Sequence, residues 1–517
     1  MTLIVNHRAQ GTDGLEKGLR PVIWVWLALL VLAMAGPVYH GWQRVGVPYE
    51  FDYGEGPLMW QVQHVFDRGT AYGSLADGPL VIWNYPPGFL LAVRAVWSVQ
   101  GNLLWSGRFV SFVSGLGVEF LLAAIIYGCL PRRFGQLVRW CTAGTGFLFL
   151  CTDAAFAWFP LMRVDLLGLL ATYLGVFLFL SAGERHRRAY LGFACFFLAA
   201  YVKQTYLAAP LACFLATLVV APKRALRLGV LLALSGGAVF WMGMVWSRGG
   251  FARHLILYNV HSFSVGRALS GVTANLGDVR LFFVPLLMLL LLAVLAVREG
   301  GLGRLRKSWA PRLRHSPLRM ALAVETIHCV VCFFLSFAYG KTGATVNYFL
   351  ELNAALCVVS GLAVGVLLWE VKRAPRLTAM AGLALVIPLV LAGQDLYTVV
   401  NSFVPGAQVK SHERQEVEAY RKFVPRLASV PGPVLSDDMV LQLRAGKDIV
   451  FEPATMCMTA EAGTWNESGF ARRLESKEFA LIMISRPDIW DPRLTAAIQQ
   501  AYQLEESIGR YQLYRPR

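Results

Sequence analysis

The chain has 517 residues, of which 56% are hydrophobic and only 15% charged. Soluble domains carry about 25% charged residues, so this balance, with a mean hydropathy of +0.51, excludes an ordinary soluble protein. The formal charge of +16 does not indicate a nucleic-acid partner, because from Asn401 onward 15 Lys+Arg face 15 Asp+Glu and the whole excess lies in the apolar part.

Apolar blocks long enough to cross a bilayer as helices, about 17–25 residues each, predict spans at 22–39, 102–130, 140–159, 164–181 and 190–202. Further spans follow at 205–221, 228–246, 281–297, 320–338, 349–369 and 377–397, about eleven in all. Lys203 and Gln204 interrupt the 190–221 stretch and make its division the least regular. With the N-terminus in the cytoplasm, every inside loop is basic: Arg132, Arg133 and Arg139, then Arg185, Arg187 and Arg188, then Lys223, Arg224 and Arg227, with more near 298–319 and 372–376. Lys/Arg bias of short loops sets orientation, so the C-terminus is expected outside. No small-residue cleavage site follows the first block, and it reads as a retained span. Eight of the nine cysteines fall in or beside apolar blocks, where thiols behave as small hydrophobes, and no disulfide framework is implied.

The first outer loop, 41–101, is the longest early connection and contains Pro48-Tyr49-Glu50-Phe51-Asp52-Tyr53-Gly54-Glu55-Gly56-Pro57. Its clustered carboxylates precede an amphipathic stretch, 58–68, expected to lie in the interfacial plane. Asp52 and Glu55 sit where a general base would meet a lipid-borne donor, and they would equally serve to cap a turn and a helix start. Trp83-Asn84-Tyr85-Pro86-Pro87-Gly88 follows, a rigid entry to another helix.

Charges at the outer ends of spans are the strongest physical signal, since a charge in hydrocarbon costs about 2.5–3.5 kcal/mol. Arg108, Arg163, Asp165, Lys203 and Lys341 all fall there. Arg163 and Asp165 are expected to neutralise each other in part, whereas Arg108, Lys203 and Lys341 have no acid nearby in sequence and suit an anion such as a phosphate. The outer loop 247–280 holds Arg253, His254, His261 and Arg267 without metal-ligand spacing, and Gly340-Lys341-Thr342 lacks the upstream glycine of a phosphate-binding loop. Cys329 and Cys332, inside an apolar block, read as core packing. From Asn401 the pattern changes to a helix at 411–428 and short strand-like runs at 434–435, 448–451, 479–484, 502–505 and 511–514. Helices expected at 461–475 and 493–501 complete a small C-terminal α/β domain, 401–517, beside a membrane domain of 1–400.

Asp52-x-x-Glu55 in a long outer loop, Tyr85-Pro86-Pro87 leading to Gly107-Arg108, Arg163-x-Asp165, Lys203-Gln204-Thr205 and Asn347-Tyr348-Phe349-Leu350-Glu351 resemble the GT-C glycosyltransferases that use polyprenyl-phosphate sugars. The last three motifs strengthen the resemblance to bacterial members related to protein O-mannosyltransferases and the aminoarabinose transferase of lipid A. The resemblance implies a polytopic α-helical membrane protein of the inner membrane whose outer cavity takes a polyprenyl-phosphate-linked sugar. The acceptor would be an envelope glycan, lipid or protein. By the same resemblance Asp52 is the general base, Glu55 orients the acceptor, and Arg108, Lys203 and Lys341, ranked in that order, bind the donor phosphate. Tyr85, Arg163, Asp165, Asn347, Tyr348 and Glu351 then contact substrate. Better-known relatives carry a lysine near the proline element, where this chain has Trp83-Asn84-Tyr85. No third carboxylate is placed for a divalent metal, and metal independence is expected. A transporter or lipid flippase is the rival, and it predicts mid-span charges and inverted repeats. Neither is seen. A non-catalytic scaffold presenting the C-terminal domain would leave the outer cations unexplained.

Overall fold

The computed structural model describes residues 3–76, 78–183, 186–277, 313, 316–373 and 407–517. The expected spans at 281–297 and 377–397, and most of the basic loop at 298–319, lie outside the described residues. Helices α1 (Leu3–Val45), α2 (Glu55–His64), α3 (Gly88–Gln100), α4 (Leu103–Cys129), α5 (Gln136–Ala143), α6 (Asp153–Trp158) and α7 (Asp165–Leu180) are followed by α8 (His186–Val202), α9 (Ala208–Val220) and α10 (Pro222–Trp246). Then come α11 (Gly250–Leu255), α12 (Val265–Gly277), α13 (Pro317–Ser336) and α14 (Leu350–Arg373). Among the described residues five helical stretches, Trp24–Val45, Leu103–Cys129, Pro222–Trp246, Pro317–Gly340 and Val346–Trp369, are long and apolar enough to cross a membrane.

The stretch 140–159 departs from the expected single span. It breaks into α5, a 3-10 turn at Gly144–Leu148 and α6. Gly146 permits the break to press on α4: a Cβ there would lie 2.5 Å from the Ala123 amide nitrogen. Broken backbone inside hydrocarbon must be satisfied by the protein itself, and the buried Glu119 carboxylate of α4 accepts the Leu150 N–H at 3.1 Å.

The C-terminal part begins with α15 (Ala407–Ser429). Ala419, Tyr420, Phe423 and Leu427 are buried along one side of it, at helical spacing. Strands β1 (Val434–Ser436), β2 (Leu481–Ile484), β3 (Tyr502–Ile508) and β4 (Tyr511–Pro516) form one sheet in the order β1-β2-β4-β3, parallel between β1 and β2 and antiparallel elsewhere. Helices α16 (Met439–Arg444), α17 (Pro453–Glu461), α18 (Ser468–Glu475) and α19 (Pro492–Ala501) connect them. Two expectations change here. The run 461–475 is not one helix, since α17 ends at Glu461 and Gly463 turns with φ +71 before α18. The run 448–451 does not join the sheet; Phe451 bridges Leu80 instead, with Leu80 N–H donating to Val450 O and Glu452 N–H to Leu80 O, both at 2.9 Å.

That bridge ties the C-terminal part to the first outer loop and buries α2. Residues Glu55–Val62 are all buried, so α2 does not lie open in the membrane interface as its amphipathic pattern predicts. Its apolar side meets α3 and α4, and its other side meets α16. Gly56 allows the approach, because a Cβ there would stand 2.6 Å from the Met439 Cβ, and Trp60 Nε1–H donates to Asp448 Oδ1 at 2.7 Å. Of the polar residues that suggested a wet face, Gln61 is buried and Gln63 and His64 are half-buried, while Asp67 beyond the helix end is exposed.

Candidate active site

A cavity of about 880 Å³ opens between the loop 41–101, the neighbouring ends of the apolar helices and the C-terminal part. It brings together Asp52, Tyr85, Arg163, Lys203, Lys341, Asn347 and Tyr348, seven of the residues expected from sequence. Glu55, Arg108, Asp165 and Glu351 do not line it, and each departs for a definable reason.

Asp52 lies in the turn that starts α2. Its Oδ1 accepts from the Gly54 N–H at 3.0 Å and from Arg163 Nη1 at 2.9 Å. Its Oδ2 takes no hydrogen bond from any described residue and remains available to a ligand. The guanidinium passes directly over Gly54, where an added Cβ would sit 1.2 Å from Arg163 Nη1. Gly54→Ala is therefore expected to break the Asp52–Arg163 pair. Misplacing a reacting group by an ångström costs roughly a hundredfold in rate, so activity assays of the variant should show a loss of that order with folding intact.

Glu55 and Arg108 form a closed pair beneath this turn, both fully buried. Arg108 Nε and Nη2 donate to the two Glu55 oxygens at 2.7 and 2.6 Å. Its remaining N–H groups reach the carbonyls of Arg44, Val47 and Tyr49 at 3.1, 2.8 and 2.7 Å. A guanidinium has five donors, all are used, and none is left for phosphate. Glu55 also accepts the Phe51 and Met162 N–H groups, each at 2.9 Å. Burial favours its neutral form, but Arg108 and these amides outweigh burial and hold the carboxyl below its ordinary range. Arg108 is thus not available as the first-ranked phosphate ligand, and Glu55 does not reach an acceptor. Together they clamp the Asp52 turn to the segment that carries Arg163.

Asp165 exchanges the expected partner. Arg163 turns to Asp52, while Asp165 accepts from Lys203 Nζ at 2.5 Å, Asn347 Nδ2 at 3.0 Å and Trp158 Nε1 at 2.7 Å. It fixes Lys203 and Asn347 in the cavity wall from behind. Lys203 is therefore not a spare cation, but the residue still lines the cavity, with its Nζ 5.4 Å from the Tyr348 ring centre. Lys341 forms no ion pair with any described residue, and burial holds its ammonium below the ordinary lysine range. Arg267 lines the same wall, donating to the Ala344 carbonyl at 2.7 Å. Glu351 points away from the cavity and meets His328 Nε2 at 3.0 Å.

Several cavity groups escaped sequence reasoning. Gln61, Asn84 and Gln204 line the cavity, and their amide oxygens are buried without a hydrogen-bond partner among the described residues. Glu452 enters it from the start of α17, bonded by the Tyr53 and Thr455 hydroxyls and by the Ile82 N–H at 3.1 Å. Burial pushes its carboxyl up to about 7 from 4.5. No local motif marks it, since its surroundings are built by the loop around Tyr53 and Ile82, about four hundred residues earlier.

A carboxyl whose folded pKa is raised binds more protons folded than unfolded between those two values. The contribution of Glu452 to stability is therefore full below pH 4.5 and is lost as pH rises towards about 7. Glu452→Gln should remove that decline: the difference in unfolding midpoint between wild type and variant, followed in detergent from pH 4 to 8, should shift across this window and be flat above it.

No protein-family profile and no curated protein matches the sequence. Solved structures do. ArnT from Cupriavidus metallidurans bound to undecaprenyl phosphate superposes with a TM-score of 0.58 at 13% identity, over 96% of this chain and 98% of that one. Its apo form gives 0.58 at 15% identity, over 95% and 97%. The Archaeoglobus fulgidus oligosaccharyltransferase in complex with Zn and sulfate gives 0.50 at 13% identity, over 92% of this chain and 71% of that one. At these identities the likeness establishes the fold alone, which this chain shares with ArnT along nearly its whole length.

Proposed function

We propose that this protein is an inverting GT-C glycosyltransferase that moves a sugar from a polyprenyl-phosphate donor to an envelope glycan, lipid or protein. The work is done on the extracytoplasmic face of a bacterial inner membrane. One observation carries the reading: Asp52, whose Oδ2 takes no hydrogen bond from any described residue, shares a cavity with Lys341, which forms no ion pair with any described residue, and with the partly engaged Lys203. The neighbouring ArnT bound to undecaprenyl phosphate supports the donor class. The carboxamide residues Gln61, Asn84, Gln204 and Asn347 in the cavity lining support a hydroxyl-rich substrate such as a sugar.

In this reading Asp52 Oδ2 removes the acceptor hydroxyl proton as the hydroxyl oxygen attacks the anomeric carbon from the face opposite the phosphate. The bond from that carbon to the phosphate oxygen breaks, and polyprenyl phosphate departs with the electron pair. Lys341 and Lys203 meet the growing negative charge, and the displaced positive charge on the sugar is favoured by the nearby carboxylate. Arg163 and the Gly54 amide hold Oδ1 so that Oδ2 faces the acceptor.

Lys341→Ala tests the phosphate site. A hydrogen bond to a charged group contributes about 1.5–3 kcal/mol, so affinity for undecaprenyl phosphate should fall roughly ten- to a hundredfold by titration in detergent. Unchanged affinity would remove Lys341 from the site. Release of polyprenyl phosphate from a polyprenyl-phosphate sugar in detergent separates transfer from flipping, since a flippase has no bilayer to act across there and leaves the donor intact.

A further inference from the structure

A second group of reactive side chains lies behind the cavity wall, between α13 and α14, and takes no part in the proposed transfer. Glu325, His328 and Cys332 recur at intervals of three and four along one side of α13, and Glu351 occupies the first turn of α14. A ring nitrogen of His328, the Cys332 Sγ and a Glu351 oxygen all lie within 4.8 Å of one another, and all three residues are buried. His328 Nε2 is 3.0 Å from Glu351 Oε1, and Nδ1 is 3.1 Å from Glu325 Oε2. A neutral imidazole carries one proton, so it can serve only one of these carboxylates as a donor. Two further buried oxygens nearby, Glu325 Oε1 and the Tyr173 hydroxyl, have no hydrogen-bond partner among the described residues, and the Tyr173 ring centre is 5.9 Å from that of His328.

We infer that His328 Nε2, Cys332 Sγ and Glu351 bind a divalent metal ion of the zinc class, with Glu325 as the outer carboxylate on Nδ1–H. Imidazole, thiolate and carboxylate together suit zinc rather than magnesium or calcium, which take oxygen ligands. Bond lengths of about 2.0–2.3 Å in a tetrahedral site place donor atoms roughly 3.3–3.6 Å apart, so the existing cluster closes on an ion with only small side-chain movements. A carboxylate on the far nitrogen of a metal-bound histidine is the usual device that fixes its tautomer. Binding displaces the Cys332 thiol proton and any proton on Nε2 to solvent. One thiolate and one carboxylate then balance the dication, so the first coordination sphere brings no net charge into the apolar interior.

The consequence is mechanical. Helices α13 and α14 flank the segment that carries Lys341, Asn347 and Tyr348, and Glu351 lies one turn after Asn347. A metal joining them fastens both ends of the cavity wall. The inference rests on this cluster alone and stands or falls apart from the transferase reading.

The test is metal binding by the full chain, purified in detergent without chelator and without a metal-binding tag. Zinc content by mass spectrometry should be about one per chain, and exchange for Co²⁺ should produce the sulfur-to-cobalt charge-transfer band of a thiolate ligand. Cys332→Ala should abolish that band, and Glu325→Gln should weaken zinc about 10- to 100-fold in competition with a chromophoric chelator. Asp52→Asn should leave zinc content unchanged. Folded wild type that takes up neither Zn²⁺ nor Co²⁺ would overturn the inference. A cobalt–sulfur band that survives Cys332→Ala would overturn it equally. Should Cys332→Ala fail to fold, the wild-type spectrum and the Glu325→Gln affinity still decide.

Discussion

Asp52→Asn is expected to abolish sugar transfer while leaving a folded protein that still binds the donor phosphate. Asparagine has nearly the shape of aspartate and can keep Oδ1 as acceptor for the Gly54 amide and Arg163, so the turn before α2 should persist. What is lost is the oxygen that faces the cavity as a proton acceptor, because an amide nitrogen takes its place. Loss of a general base slows the chemical step by about 10²–10⁴-fold. The measurement is single-turnover transfer from a polyprenyl-phosphate sugar, paired with titration of undecaprenyl phosphate. Rate should collapse and affinity should change by only a few-fold. Loss of both together would place Asp52 in donor binding instead.

Removing Arg108 should act on the fold and not on the phosphate. The Arg108–Glu55 pair is fully buried and bidentate, and the same guanidinium satisfies three backbone carbonyls between α1 and the acidic turn. Breaking a buried pair on one side destabilises by about 3–5 kcal/mol, so Arg108→Ala should unfold at markedly lower temperature, and Glu55→Gln should do so less severely. The linkage has a definite sign. The folded Glu55 carboxyl lies below its ordinary 4.5, so the pair's contribution is present above that pH and is lost as pH falls through the lower folded value. Arg108→Ala should therefore narrow the stability difference between neutral and acid conditions. Whatever fraction stays folded should bind undecaprenyl phosphate as wild type does, in contrast to Lys341→Ala, which should fold normally and bind weakly.

Part of the helical organisation was legible because long hydrophobic runs follow from bilayer physics. Of the expected spans that fall on described residues, five are helices long and apolar enough to cross, 164–181, 190–202 and 205–221 form shorter helices, and 140–159 breaks beside the Glu119 carboxylate that accepts the Leu150 N–H, a partner on another helix that hydropathy does not register. Asp52, Arg163, Lys203 and Lys341 were legible as a group, since charges at one end of apolar helices have few places to go. Their pairing was not. Sequence proximity joined Arg163 to Asp165, but the start of α7 turns the Asp165 carboxylate inward to Lys203 and leaves Arg163 facing Asp52. Arg108 looked like a spare cation because its counter-ion is 53 residues away in sequence. Glu452 was illegible for the same reason on a larger scale, and α2 read as interfacial because nothing in its own pattern announces that α16 will cover it.

The most direct measurement is the structure of the protein with undecaprenyl phosphate bound, determined in a lipid nanodisc. The phosphate is predicted within hydrogen-bond reach of Lys341 and Lys203, on the cavity side of the wall held by Asp165 and Asn347, with Asp52 Oδ2 facing the space beside it and Arg108 still bonded to Glu55. Phosphate density outside this cavity, or in contact with Arg108 while Lys341 and Lys203 stay empty, would contradict the account.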